Sequence, residues 1–273
     1  MSDKLPITFQ DCHDFEPVLN NSAHISYDFS DLKLSVLSCQ KTTINHEIGK
    51  LSQNSSKIYL LLGKDSDCLL SAKDRLNSTD EKNIALEYHV LLQDRAKIDF
   101  QLSLLNKTNL SLEIHVYLQG DHSKATIKGV YALNYDQKIT IKTFQNHIGA
   151  QTHSQLVFRG MLKDQAQAVY NGLIFIGPDA KKTQASQENK NILLSKQTKV
   201  ISVPSIEVLH HDVQCSHGSA IGRFEKEQLW YLQNKGLIET KAHDLLTRSF
   251  FASVIENFKD KKLIEEAICQ KMV

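Results

Sequence analysis

The chain has 273 residues, 41% hydrophobic and 23% charged, which is enough apolar surface for a packed core and excludes a disordered chain. Lys and Arg number 32 against 31 Asp and Glu, so a net charge of +1 supplies no global attraction to nucleic acid or to an anionic membrane. Only 11 Gly and 4 Pro are present, which excludes collagen-like, Pro-rich and linker-dominated chains.

In chain order, residues 1–22 read as a short polar N-terminal extension without the apolar run of a secretory signal, and Cys12, His13 and Asp14 within it form no ligand pattern. Apolar residues then alternate in Ile84/Leu86/Tyr88/Val90, Ile98/Phe100/Leu102/Leu104 and Leu110/Leu112/Ile114/Val116/Leu118. Shorter versions follow at Ile127, Ile139/Ile141, Leu156/Phe158, Ala166/Ala168/Tyr170 and Gly172/Ile174/Ile176. This period of two predicts half-buried strands. Their centres, at 86, 98, 112, 127, 141, 156 and 168, recur every 12 to 15 residues. Such a repeat suits a meander, a sandwich or a β-solenoid. The turns use Asn, Asp, Lys and Gln without the hairpin dipeptides Asn-Gly or Asp-Gly, which favours the solenoid. His147 and His153, flanking Gly149, read as loop polarity, and the polar stretch Lys181–Asn191 reads as a turn or exposed loop.

Near residue 222 the period becomes helical. Leu229, Trp230 and Leu232 lie on a first helix from Phe224 that Gly236 stops. Thr240 is placed to cap a second helix with the apolar stripe Ala242, Leu245, Leu246, Phe250, Val254, Ile255 and Phe258. A third helix is expected over Lys261–Met272. The chain thus divides into a β core, 1–222, and a helical domain, 223–273. Phe250 and Phe251 are adjacent and cannot face the same way, which leaves two readings open: one of them is offered to a partner, or the helix is sandwiched inside its own domain. No apolar run approaches the roughly 20 residues that span a bilayer.

Motifs for nucleotide or hydrolytic chemistry are missing. Gly172 and Gly177 have P-loop spacing, but Pro178 stands where Lys is required, and G-x-G-x-x-G, G-x-S-x-G and H-E-x-x-H do not occur. The five cysteines, Cys12, Cys39, Cys68, Cys215 and Cys269, are odd in number, widely spaced and without C-x-x-C. That excludes a disulfide framework and a self-contained four-cysteine metal site, and the expected location is the reducing cytoplasm. One dense constellation remains, His210-His211-Asp212-Val213-Gln214-Cys215-Ser216-His217-Gly218. If a strand runs through it, His211, Cys215 and His217 share a face. A thiolate and a neutral imidazole are good ligands for iron or zinc. Two ligands leave a tetrahedral site incomplete, so the other donors come from elsewhere, such as a second chain. Three alternatives stay open. Cys215 and His217 can be structural; they can hold zinc with His211; or they can act as nucleophile and base of a hydrolase, which needs an orienting third group and an oxyanion hole.

The run Asn191-Ile192-Leu193-Leu194-Ser195, Pro204-x-x-Glu207 and Asp212 to Gly218 closely resembles the C-terminal signature of the SufB/SufD family of iron–sulfur cluster assembly scaffolds. The pattern continues in order through Gly222, Leu229-Trp230-Tyr231-Leu232, Lys235-Gly236-Leu237, Ala242, Leu245-Leu246 and Phe250. Cys215-Ser216-His217-Gly218 is similar to the SufD branch. The resemblance implies a right-handed parallel β-helix followed by a C-terminal α-helical domain. It also implies a non-catalytic scaffold that binds no nucleotide itself. Its expected partners are a SufB-like subunit and a SufC-like ABC ATPase, with self-pairing into a homodimer as an option in isolation. His217 and Cys215 would be donors to an iron–sulfur cluster transiently shared with the SufB-like chain. Leu245, Phe250, Phe251, Val254 and Phe258 would form the partner interface of the helical domain. Departures are His211 in place of an acidic residue, Ser219-Ala220, Trp230, and a chain shorter than most members, without their N-terminal helical region.

Overall fold

The computed structural model describes residues 16–18, 22–25, 31–48, 55–74, 83–105 and 109–272; Cys12, His13, Asp14 and most of the extension 1–22 lie outside these. The strands in chain order are β1 (Glu16–Pro17), β2 (Ser22–Ile25), β3 (Asp31–Val36), β4 (Lys41–Ile48), β5 (Ser55–Leu62), β6 (Asp67–Asp74), β7 (Asn83–Leu92) and β8 (Lys97–Leu104). They continue as β9 (Asn109–Leu118), β10 (Lys124–Leu133), β11 (Lys138–His147), β12 (His153–Leu162), β13 (Gln167–Ile176), β14 (Thr183–Leu193), β15 (Lys199–Val208) and β16 (Val213–Gly222). Three helices follow, α1 (Lys226–Asn234), α2 (Glu239–Ile255) and α3 (Lys261–Met272).

Odd-numbered strands form one eight-stranded sheet and even-numbered strands the other. Every strand pairs in parallel with the strand two places along the chain, as β7 does with β9 and β10 with β12. That pairing excludes a meander or a sandwich of sequential hairpins, and the fold is a parallel β-solenoid. Each coil contributes one strand to each sheet. In-register stacking places like positions above one another. One inward row runs Ile44, Leu70, Phe100, Ile127, Leu156, all buried. The period-two alternation is therefore the inward face of the solenoid, whose lumen is the core.

The corners explain the low glycine count. Cys39, Asp65, Arg95, His122, Gln151 and Lys182 occupy the same place on six successive corners, each with φ between 56° and 62°. A left-handed non-glycine residue costs roughly 1–2 kcal/mol. The neighbouring coil offsets this cost: the backbone N–H of each of these residues donates to a carbonyl of the next corner, as in Arg95 to Asp121 (2.9 Å) and Gln151 to Lys181 (2.8 Å). Arg95 also grips the Asp65 carboxylate below it with two hydrogen bonds, of 2.5 and 2.9 Å.

Lys181–Asn191, expected as a loop, is mostly strand β14. The alternation is present there but polar, because Gln187, Asn189 and Asn191 point inward and are buried. The lumen changes character along its axis, from apolar in the early coils to hydrogen-bonded in the last ones. The Tyr131 hydroxyl donates to Asn191, whose amide donates to Asn189. Gln145 donates to the Ser154 hydroxyl at 2.6 Å, and the His147 ring bridges Thr152 and Ser154 at 2.7 Å each. His147 is thus a lumen residue rather than loop polarity, and burial pushes its pKa down to about 3, so the ring is neutral.

The switch to helix falls where the period changes, and Gly236 ends the first helix with φ +91°. Thr240 is not the cap of the second: α2 begins at Glu239, after Ile238 in extended conformation, without a side-chain cap. The helices cover the outer face of the even-numbered sheet. Phe251, Val254, Ile255 and Phe258 of this segment share a core with Val130, Ala132 and Met161. Polar straps flank it: Lys73 pairs with Asp260 at 2.8 Å, Gln101 donates to the Asn257 carbonyl at 3.2 Å, and Lys271 to the Leu105 carbonyl at 2.9 Å. Among the described residues no helix is long and apolar enough to cross a membrane.

Candidate functional site at the open end of the solenoid

Among the described residues, no strand stacks on the last coil. β15 pairs only with β13, and β16 only with β14, so each leaves one edge unpaired. Pro204 sits within β15, where a missing N–H is tolerated on an edge strand. Ile201, Val203, Val208, Leu209 and Ile221 are exposed around this end. Unpaired strand edges with apolar side chains are a template for another chain.

β16 carries the residues singled out above. Cys215 lies in register with Ala185, His217 with Gln187 and Ser219 with Asn189. Paired residues of parallel strands share a face. Cys215 therefore extends the inward row Ile98, Ala125, Ser154, Ala185, and His217 extends the row Phe100, Ile127, Leu156, Gln187. Both side chains stand at the mouth of the lumen. Cys215 is half-buried beside Ile174, Ile176, Ala185 and Val213, and His217 is exposed. Neither makes a hydrogen bond to any described residue. A sulfur and a nitrogen donor thus face whatever covers the open end.

Gln187 was not visible as a site residue in the sequence. It is buried directly beneath His217, and both its amide oxygen and its amide nitrogen lack a partner. A Cβ at Gly172, across the lumen, would overlap that amide nitrogen and lie 2.5 Å from the Tyr170 hydroxyl, so the two side chains would have to move to admit it. An unmet buried amide costs about 1–3 kcal/mol.

His211 does not join the pair. β16 starts only at Val213, and His210 and His211 lie in the preceding bend with their rings stacked at 5.0 Å. The expected shared face fails because the strand is interrupted. Among the described residues, His211, Cys215 and His217 do not converge into a three-ligand set. The hydrolase arrangement lacks its orienting group, since His217 has no hydrogen-bonding neighbour among them.

The helical stripe is divided. Phe251, Val254 and Phe258 are buried against the chain's own sheet, because α2 lies on β10 and β12. Phe250 is half-buried, with the Arg159 guanidinium 5.9 Å from its ring centre. Leu245 is exposed and lines a groove of about 570 Å³ between α1 and α2, with Tyr231, Leu232 and Leu246. The expected stripe carried Phe250, but Phe251 is the phenylalanine buried with Val254 and Ile255, while Leu245 faces the groove.

These features define a parallel β-solenoid with a helical flank and an open end that bears thiol and imidazole donors. The family model described as "SUF system FeS cluster assembly, SufBD core domain" matches residues 40–250, and the chain belongs to this family. It is 27% identical over 181 residues to the iron–sulfur cluster assembly protein SufD of Escherichia coli, covering 66% of this chain and 43% of that protein. It is 28% identical over 160 residues to SufD of Bacillus subtilis, covering 59% of this chain and 37% of the relative. Against the chloroplastic protein ABCI7 of Arabidopsis thaliana it is 30% identical over 153 residues, 50% of this chain and 32% of the relative. The chain thus spans less than half the length of these curated relatives.

Proposed function

We propose that the chain is a non-catalytic scaffold subunit in SUF iron–sulfur cluster assembly. Its open end pairs with a SufB-like subunit, and its helical face docks a SufC-like ABC ATPase. The observation that carries this reading is the uncapped last coil, where two unpaired strand edges frame Cys215 and His217. The nascent cluster is cargo at this interface. Cys215 supplies a soft thiolate and His217 a neutral imidazole, and the partner supplies the remaining donors. Two donors on one edge suit a shared site better than a self-contained one. The exposed α1–α2 groove, rather than the buried Phe251 and Phe258, is the surface left for the ATPase. The unpaired thiols Cys39, Cys68, Cys215 and Cys269 suit a reducing compartment, and we place the protein in the cytoplasm.

Co-expression with a SufB-like and a SufC-like chain, followed by size-exclusion chromatography, tests the assembly. All three chains are expected to co-elute. An Ile221→Lys variant, which places a charge at the pairing edge, is expected to release the SufB-like chain while keeping the ATPase. A wild-type chain that elutes as a monomer beside both partners refutes the proposal. In the absence of a SufB-like chain, the same edge is expected to support a homodimer.

A further inference from the structure

Far from the open end, the outer face of the odd-numbered sheet carries a compact block of four side chains. Glu87 and His89 lie on β7, and Glu113 and His115 on β9; Glu87 is in register with Glu113, and His89 with His115. The imidazoles are stacked with centres 4.7 Å apart and planes within 10°, and their Nε2 atoms turn toward the carboxylates. His89 Nε2 is 2.5 Å from Glu87 Oε1, and His115 Nε2 is 3.6 Å from Glu113 Oε2. One ligand atom each from Glu87, His89 and His115 all lie within 4.8 Å of one another.

We propose that Glu87, His89 and His115, with Glu113 as a fourth donor, form a binding site for a first-row divalent transition-metal ion. Two imidazoles with one or two carboxylates are a donor set that suits Fe²⁺ and Zn²⁺. The charge pattern supports it. Carboxylates directly opposite each other on neighbouring strands repel. Lys57 lies at Glu87 Oε2 (3.1 Å) and Lys142 at Glu113 Oε1 (2.6 Å). On the imidazole side, Glu87 Oε1 meets His89 Nε2 at 2.5 Å and Glu113 Oε2 lies 3.6 Å from His115 Nε2, so a bound cation would take the place of the proton shared between Glu87 and His89. His89 is buried, while Glu87 and His115 reach solvent, so an ion has a path in.

Tyr59 and Phe144 extend the ring stack on either side, at 4.9 Å from His89 and 4.3 Å from His115. A stacking role alone would tolerate any flat ring, which gives a clean test. The full chain, purified anaerobically and stripped with a chelator, is titrated with Co²⁺ and read by its visible d–d absorption. One equivalent is expected to bind, and Zn²⁺ or Fe²⁺ should displace it. His115→Phe keeps the stack but removes a ligand, and is expected to weaken Co²⁺ binding at least about tenfold. Glu87→Gln should do the same with its shape unchanged. A Cys215→Ser/His217→Ala variant should bind Co²⁺ as the wild type does, so the outcome is separate from that of the open-end site. Equal affinity in wild type and His115→Phe, no Co²⁺ spectrum at all, or a spectrum lost only in the Cys215/His217 variant would overturn the assignment.

Discussion

A Cys215→Ser/His217→Ala variant is expected to melt at the wild-type temperature, to assemble with its partners, and to lose cluster formation in the assembled complex by at least about tenfold. The first expectation follows from the position of the two residues. Among the described residues, they end their inward rows, make no hydrogen bonds and have no coil stacked above them. Removing a sulfur or a ring from a half-open mouth leaves no sealed cavity, unlike a truncation inside the lumen. The second follows from the proposed assembly, in which strand edges and apolar side chains rather than these donors make the pairing surface. The third follows from the donor count, since a shared site that loses both ligands from one side cannot be completed by the other. Cluster content of the purified complex, measured by its visible absorption and by iron and sulfide analysis, is the readout. Normal cluster formation by the variant would remove both residues from the site.

Phe100→Ala is expected to do the reverse, destabilising the chain by about 3–5 kcal/mol while leaving the open end competent. Phe100 is fully buried at the centre of the row between Leu70 and Ile127. Its ring meets the Tyr88 ring edge-on at 4.9 Å, and the Tyr88 hydroxyl lies 2.5 Å from His46 Nδ1. Deleting it opens a cavity in the apolar part of the lumen, where stacked coils above and below hold their positions and the gap cannot collapse. At roughly 2–4 °C per kcal/mol, the melting temperature should fall by about 10 °C. Partner binding well below that temperature should persist, because solenoid coils contact only their neighbours and β16 lies several coils away from β8. Thermal unfolding followed by circular dichroism measures the loss; an unchanged melting point would contradict the packing described here.

Particular residues show how far the sequence could be read. β7, β8 and β9 were legible because their inward rows are aliphatic or aromatic, so burial and hydrophobicity coincide. β14 was not, because its inward row is Gln187, Asn189 and Asn191, satisfied in part by Tyr131, which reaches over Gly160 from two coils below on the same sheet. The alternation survived in burial but not in hydropathy. Cys215 and His217 were legible as a pair, since two residues apart on one strand share a face. His211 was misplaced because a bend resets parity. On α2, Val254 and Ile255 were legible as one stripe, but Phe251, left off it, is the phenylalanine buried with them, and that this face meets β10 and β12 depends on the crossing of elements far apart in the chain. The Glu87/His89/His115 block could not be found at all. It is created by register between coils, which brings together residues 26 apart that no local period relates.

The central claim is that the unpaired edges of the last coil are a pairing surface. Amide hydrogen exchange of the chain, alone and in complex with a SufB-like subunit, tests it most directly. Alone, the edge amides of β15 and β16 should exchange fast, while those of β7 to β12 are protected. In the complex, slowed exchange is expected to be concentrated in Lys199–Val208 and Val213–Gly222. Unchanged exchange in both strands, with protection appearing elsewhere on the chain, would contradict the account.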